Sequence, residues 1–389
     1  MAVTLFATLT ATLPAQAQTE TVLYNFCSLA NCADGSTPSG PLIKDSSGNL
    51  YGTTQGSDED ENGGGVVYRL SPEGVETVLH DFALTPGDGL VPQSGVIMDR
   101  DGNLYGFTGS GGAYRAGTAF KLAPDGTETI LHSFGSSPTD GESPNGPVVM
   151  DKQGNLYGTA YYGGEYEYGT IFKIRPDGTE TILHNFDNNG TDGIQPYAGV
   201  VLDAHGNLYG TAAYGGAYGG GVAFELSAKG VYTIIHQFGS TSPDGALPLA
   251  PLTLDASGNL YGVTGGGFSG AASGIVFKLT PGSVGNWTET ILLNFSETGE
   301  GSESWAGLIL DKTGNLYGVT PTGGSDAAGL AYRLSPQGAE TVLYTFLNQS
   351  YGSIPAGPLL KDSTGIYGVT EDGGTGRYAP YGTVYKIGH

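Results

Sequence analysis

The chain repeats itself at an interval of about fifty residues. The heptapeptide Gly-Asn-Leu-Tyr-Gly-x-Thr/Ala recurs around Tyr51, Tyr105, Tyr157, Tyr209, Tyr261 and Tyr317. A seventh, worn copy, Gly365-Ile366-Tyr367-Gly368, lacks the Asn. Successive tyrosines lie 54, 52, 52, 52, 56 and 50 residues apart. A period of this length, rich in Gly and aromatic residues, predicts propeller blades or a kelch-like array. A chain of 389 residues would otherwise suggest two or three domains. Because the repeat runs unbroken from about residue 20 to the end, residues 18–389 are expected to form one closed domain.

Each repeat contains four short runs with strand character. In the second these are Gly95–Asp99 (a), Asn103–Thr108 (b), Thr118–Leu122 (c) and Glu128–Phe134 (d). The runs are rich in β-branched and aromatic residues and end at Gly, Pro or Asp. The a–b turn reads Asp-x-x-Gly-Asn, led by Asp45, Asp99, Asp151, Asp203, Asp255 and Asp311, with Asp362 in the worn copy. One Asp per repeat followed by Gly is the chemistry of a capped turn, not of catalysis. The chain ends on a c run, Thr383–Ile387, and opens on a d run, Thr21–Phe26. Pairing those two closes a seven-bladed, all-β propeller of four-stranded antiparallel blades and removes an open sheet edge.

The 68 Gly and 21 Pro approach low-complexity levels, but the fixed period and 24 Tyr argue for packed strands. A net charge of −23 with only 15 Lys and Arg disfavours nucleic acid and anionic membrane surfaces as partners. Ala2–Leu13 is apolar and small, and Ala15-Gln16-Ala17 forms a cleavage-type motif, so residues 1–17 read as a signal peptide without its usual basic start. No later stretch is long and apolar enough to span a bilayer. Cys27 and Cys32 are the only cysteines, and export makes a bridge between them the expectation. The alternative is two unrelated thiols.

The repeat resembles that of the GloVer tandem-repeat family of exported bacterial proteins. The similarity rests on Gly154–Thr159, Gly163-Gly164, Gly169–Ile174 and Asp177–Leu183 and their counterparts along the mature chain. It implies a propeller-like fold and a surface or extracellular setting. It implies no established reaction. Members often end in a sorting or anchoring tail; His389 directly follows a strand, so free secretion or periplasmic residence is expected. A more distant similarity, through Asp-Gly-Asn-Leu-like turns, is to streptogramin-lyase propellers. That type uses a histidine and a metal site, and the sequence offers no matching constellation.

Function is sought on the face where the long b–c and d–a loops emerge. Eleven residues before each turn aspartate stand Asp34, Asp88, Asp140, Asp192, Asp244 and Glu300, with Tyr351 last. They predict either an acid ring at the channel mouth, suited to a cation or polyhydroxyl ligand, or a further turn cap or inter-blade bond. Tyr161, Tyr162, Tyr166, Tyr168, Tyr214 and Tyr218, with Glu165 and Glu167, crowd two b–c loops, and Trp305 lies in a d–a loop. Aromatic rings beside acids suit sugar stacking, while loop packing is the plain alternative. Tyr114, Tyr378 and Tyr381 sit in other b–c loops. Arg115 and Arg377 are scarce cations able to orient a uronate. Asp58, Asp60 and Asn62 open a partial calcium-loop pattern, with Arg69 where the closing Glu would stand; a solvated acidic tip is the alternative. His80, His132, His184 and His236 share a d-strand position with Tyr24, Leu293 and Tyr344, which reads as a packing slot. No nucleophile elbow, zinc-protease helix or P-loop occurs. The expected function is a monomeric, exported binding or scaffold module, for polysaccharide or envelope glycan, requiring no cofactor though Ca²⁺ fits one loop. A polysaccharide lyase or glycoside hydrolase, with Glu165, Glu167 and Glu303 among its acids, and a structural envelope protein are the alternatives.

Overall fold

Runs of β-branched and aromatic residues between Asp and Gly turns leave the backbone one economical arrangement, a stack of short hairpins. The computed structural model describes residues 18–56, 64–82, 87–240, 244–267, 274–295, 304–347, 352–375 and 381–388. The expected signal peptide lies outside them. In blade 2 the strands are Val96–Met98 (a), Leu104–Thr108 (b), Thr118–Leu122 (c) and Glu128–Ser133 (d), all antiparallel. Seven such four-stranded sheets form, as the repeat predicts, and the chain is a seven-bladed propeller.

The heptapeptide is explained by the turn it builds. Asp99 Oδ1 accepts the Asp101 and Asn103 amides, both at 2.9 Å, while Oδ2 accepts Asn103 Nδ2 at 2.8 Å and the Tyr105 hydroxyl at 3.0 Å. The same bonds recur at Asp45, Asp151, Asp255 and Asp311. Burial opposes ionisation of these aspartates, but the Asn side chain and the amides outweigh it and hold each below the usual carboxylate range. In the worn copy Lys44 of blade 1 replaces the Asn. Its Nζ donates to Asp362 at 2.6 Å and lies 4.4 Å from the Tyr367 ring.

The Gly after each Tyr is a packing requirement. A Cβ on Gly106 would lie 2.6 Å from Phe120 Cζ, and one on Gly210 equally close to Phe224, so strand b must be bare where the c-strand ring crosses it. That ring in turn meets the Phe that ends strand d of the preceding blade. The pairs are Phe26–Tyr68, Phe82–Phe120, Phe134–Phe172, Phe186–Phe224, Phe238–Phe277, Phe295–Tyr332 and Phe346–Tyr385, with centroids 4.8–5.8 Å apart. All fourteen rings are essentially buried.

Closure follows the same rule. Glu20–Asn25 (strand d of blade 7) pairs antiparallel with Thr383–Ile387, matching Glu20 to Ile387 and Asn25 to Thr383. This clasp carries Phe26 into the seventh inter-blade contact, against Tyr68 of blade 1. Cys27 and Cys32 are joined by a disulfide immediately after it.

Two outcomes test this packing. Deleting residues 18–26 exposes the c-strand edge of blade 7 and leaves Tyr68 unpaired, so the variant should melt lower and aggregate on heating. An unchanged melting profile would reject closure by the clasp. Phe134→Ala should cost about 3–5 kcal/mol in denaturant unfolding, because neighbours on two blades cannot both collapse into the gap.

Candidate ligand site at the channel mouth

Strand a of every blade lines the propeller axis, and the stretch that leads into it is shaped by a repeated strain. Thr37, Val91, Ser143, Gln195, Leu247 and Ile354 are left-handed, at φ between +53° and +60°, and each precedes a proline. Proline disfavours helical geometry at that position, and a side chain with Cβ disfavours positive φ. What fixes the residue is its amide, which donates to a carbonyl of the preceding blade's b–c loop: Val91 to Gly64 at 2.8 Å, Gln195 to Tyr168 at 2.9 Å, Ile354 to Ala328 at 3.1 Å. The d–a loop is thereby pinned across each junction, and the residue after the proline is delivered to the mouth of the axial channel.

That residue stands six before the turn aspartate. Around the ring this position holds Ser39, Gln93, Asn145, Tyr197, Leu249, Trp305 and Ala356, with Ser304 standing in place of the proline before Trp305. All seven border one cavity of about 780 Å³, open solvent included, which also touches Gln55, Pro321 and Glu371 from the ends of b strands. The ring breaks sevenfold symmetry in an ordered way. Blades 2 and 3 present amide groups, blades 4–6 present Tyr, Leu and Trp, and blade 1 contributes Ser39 with its hydroxyl buried. Tyr197 and Trp305 are 41% and 51% exposed, although both are large aromatics. A second hollow continues outward past Gln93, Asn145 and Tyr197 to Ser110, Ser143 and Tyr161. Tyr161 meets Tyr197 edge-on at 5.9 Å and Tyr162 at 4.5 Å. Burial, with Tyr162, Tyr214 and Tyr197 nearby, raises the Tyr161 hydroxyl above its ordinary value. Glu371 is raised by burial and then by Asp372, and is the one carboxyl on the cavity wall among the described residues.

The sequence candidates divide. Trp305 and Tyr161 line these hollows, and Tyr162 and Tyr214 stand beside Tyr161. Tyr166 and Tyr218 are exposed. Arg115 and Glu167 occupy the same left-handed loop position, exposed, on blades 2 and 3, and Glu165 is exposed beside them. None of these five is on the cavity wall. Tyr168 packs into the junction of blades 3 and 4 and accepts Asn188 Nδ2 at 3.3 Å. Asp58, Asp60, Asn62, Glu300, Glu303, Tyr351, Arg377 and Tyr378 lie outside the described residues. Gln55, Gln93, Asn145, Tyr197 and Glu371 are not among those candidates; the signal for the a-strand members was a column of unlike residues at fixed distance from an invariant aspartate.

Of the two readings of the d–a acids, the described residues follow the second, a loop cap with an inter-blade contact, and do not form an acid ring at the channel mouth. Asp34, Asp88, Asp140, Asp192 and Asp244 face the outer d strands instead. Asp34 accepts the Tyr24 hydroxyl at 2.8 Å, and Asp140, Asp192 and Asp244 face His132, His184 and His236 at 3.0–3.4 Å. Asp88 lies 3.6 Å from His80. They also cap their own loops, as Ser136 N and Oγ show at Asp140. The histidines do pack, edge-on against Phe82, Phe134, Phe186 and Phe238. They are also polar members of an inter-blade cluster whose third member, the Glu or Tyr opening the next d strand, the histidine column alone did not announce. Burial and Asp140 push Glu180 up to about 9, whereas the bonds from His132 and Ser136 overcome burial and hold Asp140 at about 2.

The model of a family described as the Gloeobacter/Verrucomicrobia repeat matches residues 8–201 and 139–284. None of the curated proteins matches in sequence. Virginiamycin B lyase from Staphylococcus aureus superposes at TM-score 0.60 and 13% identity, covering 95% of this chain and 98% of that one. The extracellular domain of a putative hybrid two component system from B. thetaiotaomicron gives 0.58 and 15%, covering 95% of this chain and 41% of that one. PorZ, a surface component of the type-IX secretion system of Porphyromonas gingivalis, gives 0.54 and 14%, covering 90% and 46%. At these identities the likeness is one of fold. No helix among the described residues is long and apolar enough to cross a membrane.

The clasp supplies a pH test. Burial pushes Glu20 up to about 7 from its ordinary 4.5, although Tyr344 bonds to it. Between those values the folded chain holds a proton that the unfolded chain has released, so this group's contribution to stability falls as pH rises through the window. Glu20→Gln should therefore melt with the parent at about pH 4.5 and above it at about pH 8. Equal pH slopes for the two proteins would remove Glu20 from the account.

Proposed function

This chain belongs to the Gloeobacter/Verrucomicrobia repeat family, and on that premise we propose that it is an exported propeller that binds a polysaccharide or envelope glycan at the mouth of its channel. The observation that carries the reading is the divided ring. Flat apolar faces on Tyr197 and Trp305 and the amides of Gln93 and Asn145 line one open cavity. A sugar ring has an apolar face for stacking and hydroxyls for neutral donors and acceptors, so it matches both halves at once. The outward hollow past Tyr161 gives a chain of sugars room to continue over blades 2–4. An acidic protein carrying few cations suits a neutral glycan better than a uronate.

An enzyme at the same mouth is the second reading. Glu371, held protonated more readily by burial, is its proton-bearing group. Glycoside hydrolysis in its common form needs two carboxyls, and the described cavity wall supplies one.

A glycan array followed by calorimetry separates these. Binding by the mature chain, weakened about tenfold or more by Trp305→Ala and by Tyr197→Ala with melting unchanged, is the expected outcome. Loss of neither signal on truncating both rings would move the site elsewhere. New reducing ends or unsaturated sugars from a bound polysaccharide would favour the enzyme, and no binding to any glycan would favour a structural envelope role.

A further inference from the structure

The outer rim holds a second chemistry that glycan binding does not use. Three blade junctions gather a histidine, an aspartate and a glutamate from three different segments: His80, Asp88 and Glu128; His132, Asp140 and Glu180; His236, Asp244 and Glu289. The histidine comes from strand d of one blade, the aspartate from the loop that follows, and the glutamate from strand d of the next blade. One potential ligand atom of each residue lies within 4.8 Å of the other two.

The spacing is informative. His80 Nε2 is 3.6 Å from both Asp88 and Glu128; His132 Nε2 is 3.3 and 3.5 Å from its carboxylates; His236 Nε2 is 3.4 and 3.6 Å from its own. Charge-assisted hydrogen bonds between such groups run at about 2.7–2.9 Å. A tetrahedral ion bound at about 2.0–2.2 Å by each ligand sets ligand-to-ligand edges of roughly 3.3–3.6 Å. Glu289 Oε1 is buried without a hydrogen-bond partner, and Glu128 Oε1, Asp140 Oδ1 and Glu180 Oε1 find one only where the paired carboxyls share a proton, Glu128 with Asp88 and Glu180 with Asp140. Asp140 is only 3% exposed, so an unpartnered carboxylate oxygen there is costly unless something else satisfies it.

A fourth junction serves as an internal control. There Tyr232 replaces the glutamate. Its ring stacks on His184 at 3.7 Å and its hydroxyl donates to Asp192 Oδ1 at 2.8 Å, while His184 closes on Asp192 Oδ2 at 3.0 Å. The Gly193 amide completes the carboxylate at 2.7 Å. With Tyr the cluster closes by ordinary hydrogen bonds; with Glu the imidazole stays at metal-edge distances from both carboxyls, which need either a shared proton or a cation between them.

We propose that the junctions of blades 1–2, 2–3 and 4–5 each bind a zinc-class divalent cation that ties one blade to the next. An imidazole with two carboxylates suits zinc and its neighbours, whereas calcium and magnesium prefer all-oxygen shells. Two ionised carboxylates and a neutral imidazole balance the dication's charge. Three protein ligands leave a fourth position for water. A proton on the glutamate is the competing occupant.

The test is zinc stoichiometry of the mature chain, loaded with zinc chloride, desalted and assayed by elemental analysis. About three ions per chain are expected. Glu180→Gln, which mimics the protonated acid in size, should lower this to about two, and Tyr232→Glu should raise it to about four. Cobalt in place of zinc should give the visible bands of a four-coordinate site, absent from the triple variant Glu128→Gln, Glu180→Gln, Glu289→Gln. Circular dichroism and melting confirm that the variants are folded. Negligible zinc on the parent, or the same zinc on parent and triple variant, overturns the proposal and leaves the junctions as proton-sharing clusters.

Discussion

The structure depends on one contact made seven times: a phenylalanine at the end of a d strand against a ring in the next blade's c strand. A four-stranded blade is too small to bury both of its faces alone. Each blade therefore lends its terminal Phe to its neighbour, and stability lies between repeats as much as within them. The ring on strand c needs room, which is why strand b carries Gly at that height and why Tyr-Gly is the most constant pair in the repeat. A closed ring has no last interface to leave bare. The N-terminal strand supplies Phe26 where a linear array would stop, and the Lys44–Asp362 pair fastens the same junction at the opposite face.

The fold was legible because its determinants are local and repeated. Asp, Gly, Asn and Tyr at fixed offsets build the a–b turn without help from distant residues, and the strand count alone required the closure at Thr383–Ile387. The site was only partly legible, for two physical reasons. Trp305 and Tyr161 stand out by composition, but Gln93 and Asn145 become a site only when the axis brings seven a strands together. The d–a acids left two readings open because an Asp-Gly in a propeller loop is compatible with either face of its strand. What turns Asp140 away from the axis is its capping of Ser136 and the proximity of His132, neither of which a spacing rule contains. The histidine column was readable as packing, and it does pack, but its polar edge is defined by a residue about fifty positions away on the next blade.

The two faces divide the work. On the turn face the first six blades repeat the same aspartate network, whose bonds are internal to the blade, and the seventh replaces its Asn with Lys44 from blade 1. On the loop face the backbone is fastened by amide-to-carbonyl bonds across junctions, which ask nothing of the side chain that follows the proline. That position is held rigidly and is free to vary, the combination a binding site needs. The strain at Val91 or Gln195 fits this view. Left-handed backbone before proline, worth about 1–3 kcal/mol, persists where the surrounding bonds over-determine it.

Repetition also bears on how a ligand would be read. A ring of seven equal residues would offer one chemistry in every direction and could not orient a directional chain. Here the amides of blades 2 and 3 and the aromatic and aliphatic side chains of blades 4–6 occupy different arcs of the mouth, and blade 7 contributes only the small Ala356. The hollow past Tyr161 extends the mouth on the side of blades 2–4. A linear ligand crossing it would meet stacking on one side and amides on the other, so its orientation would be set by side chains the fold does not require.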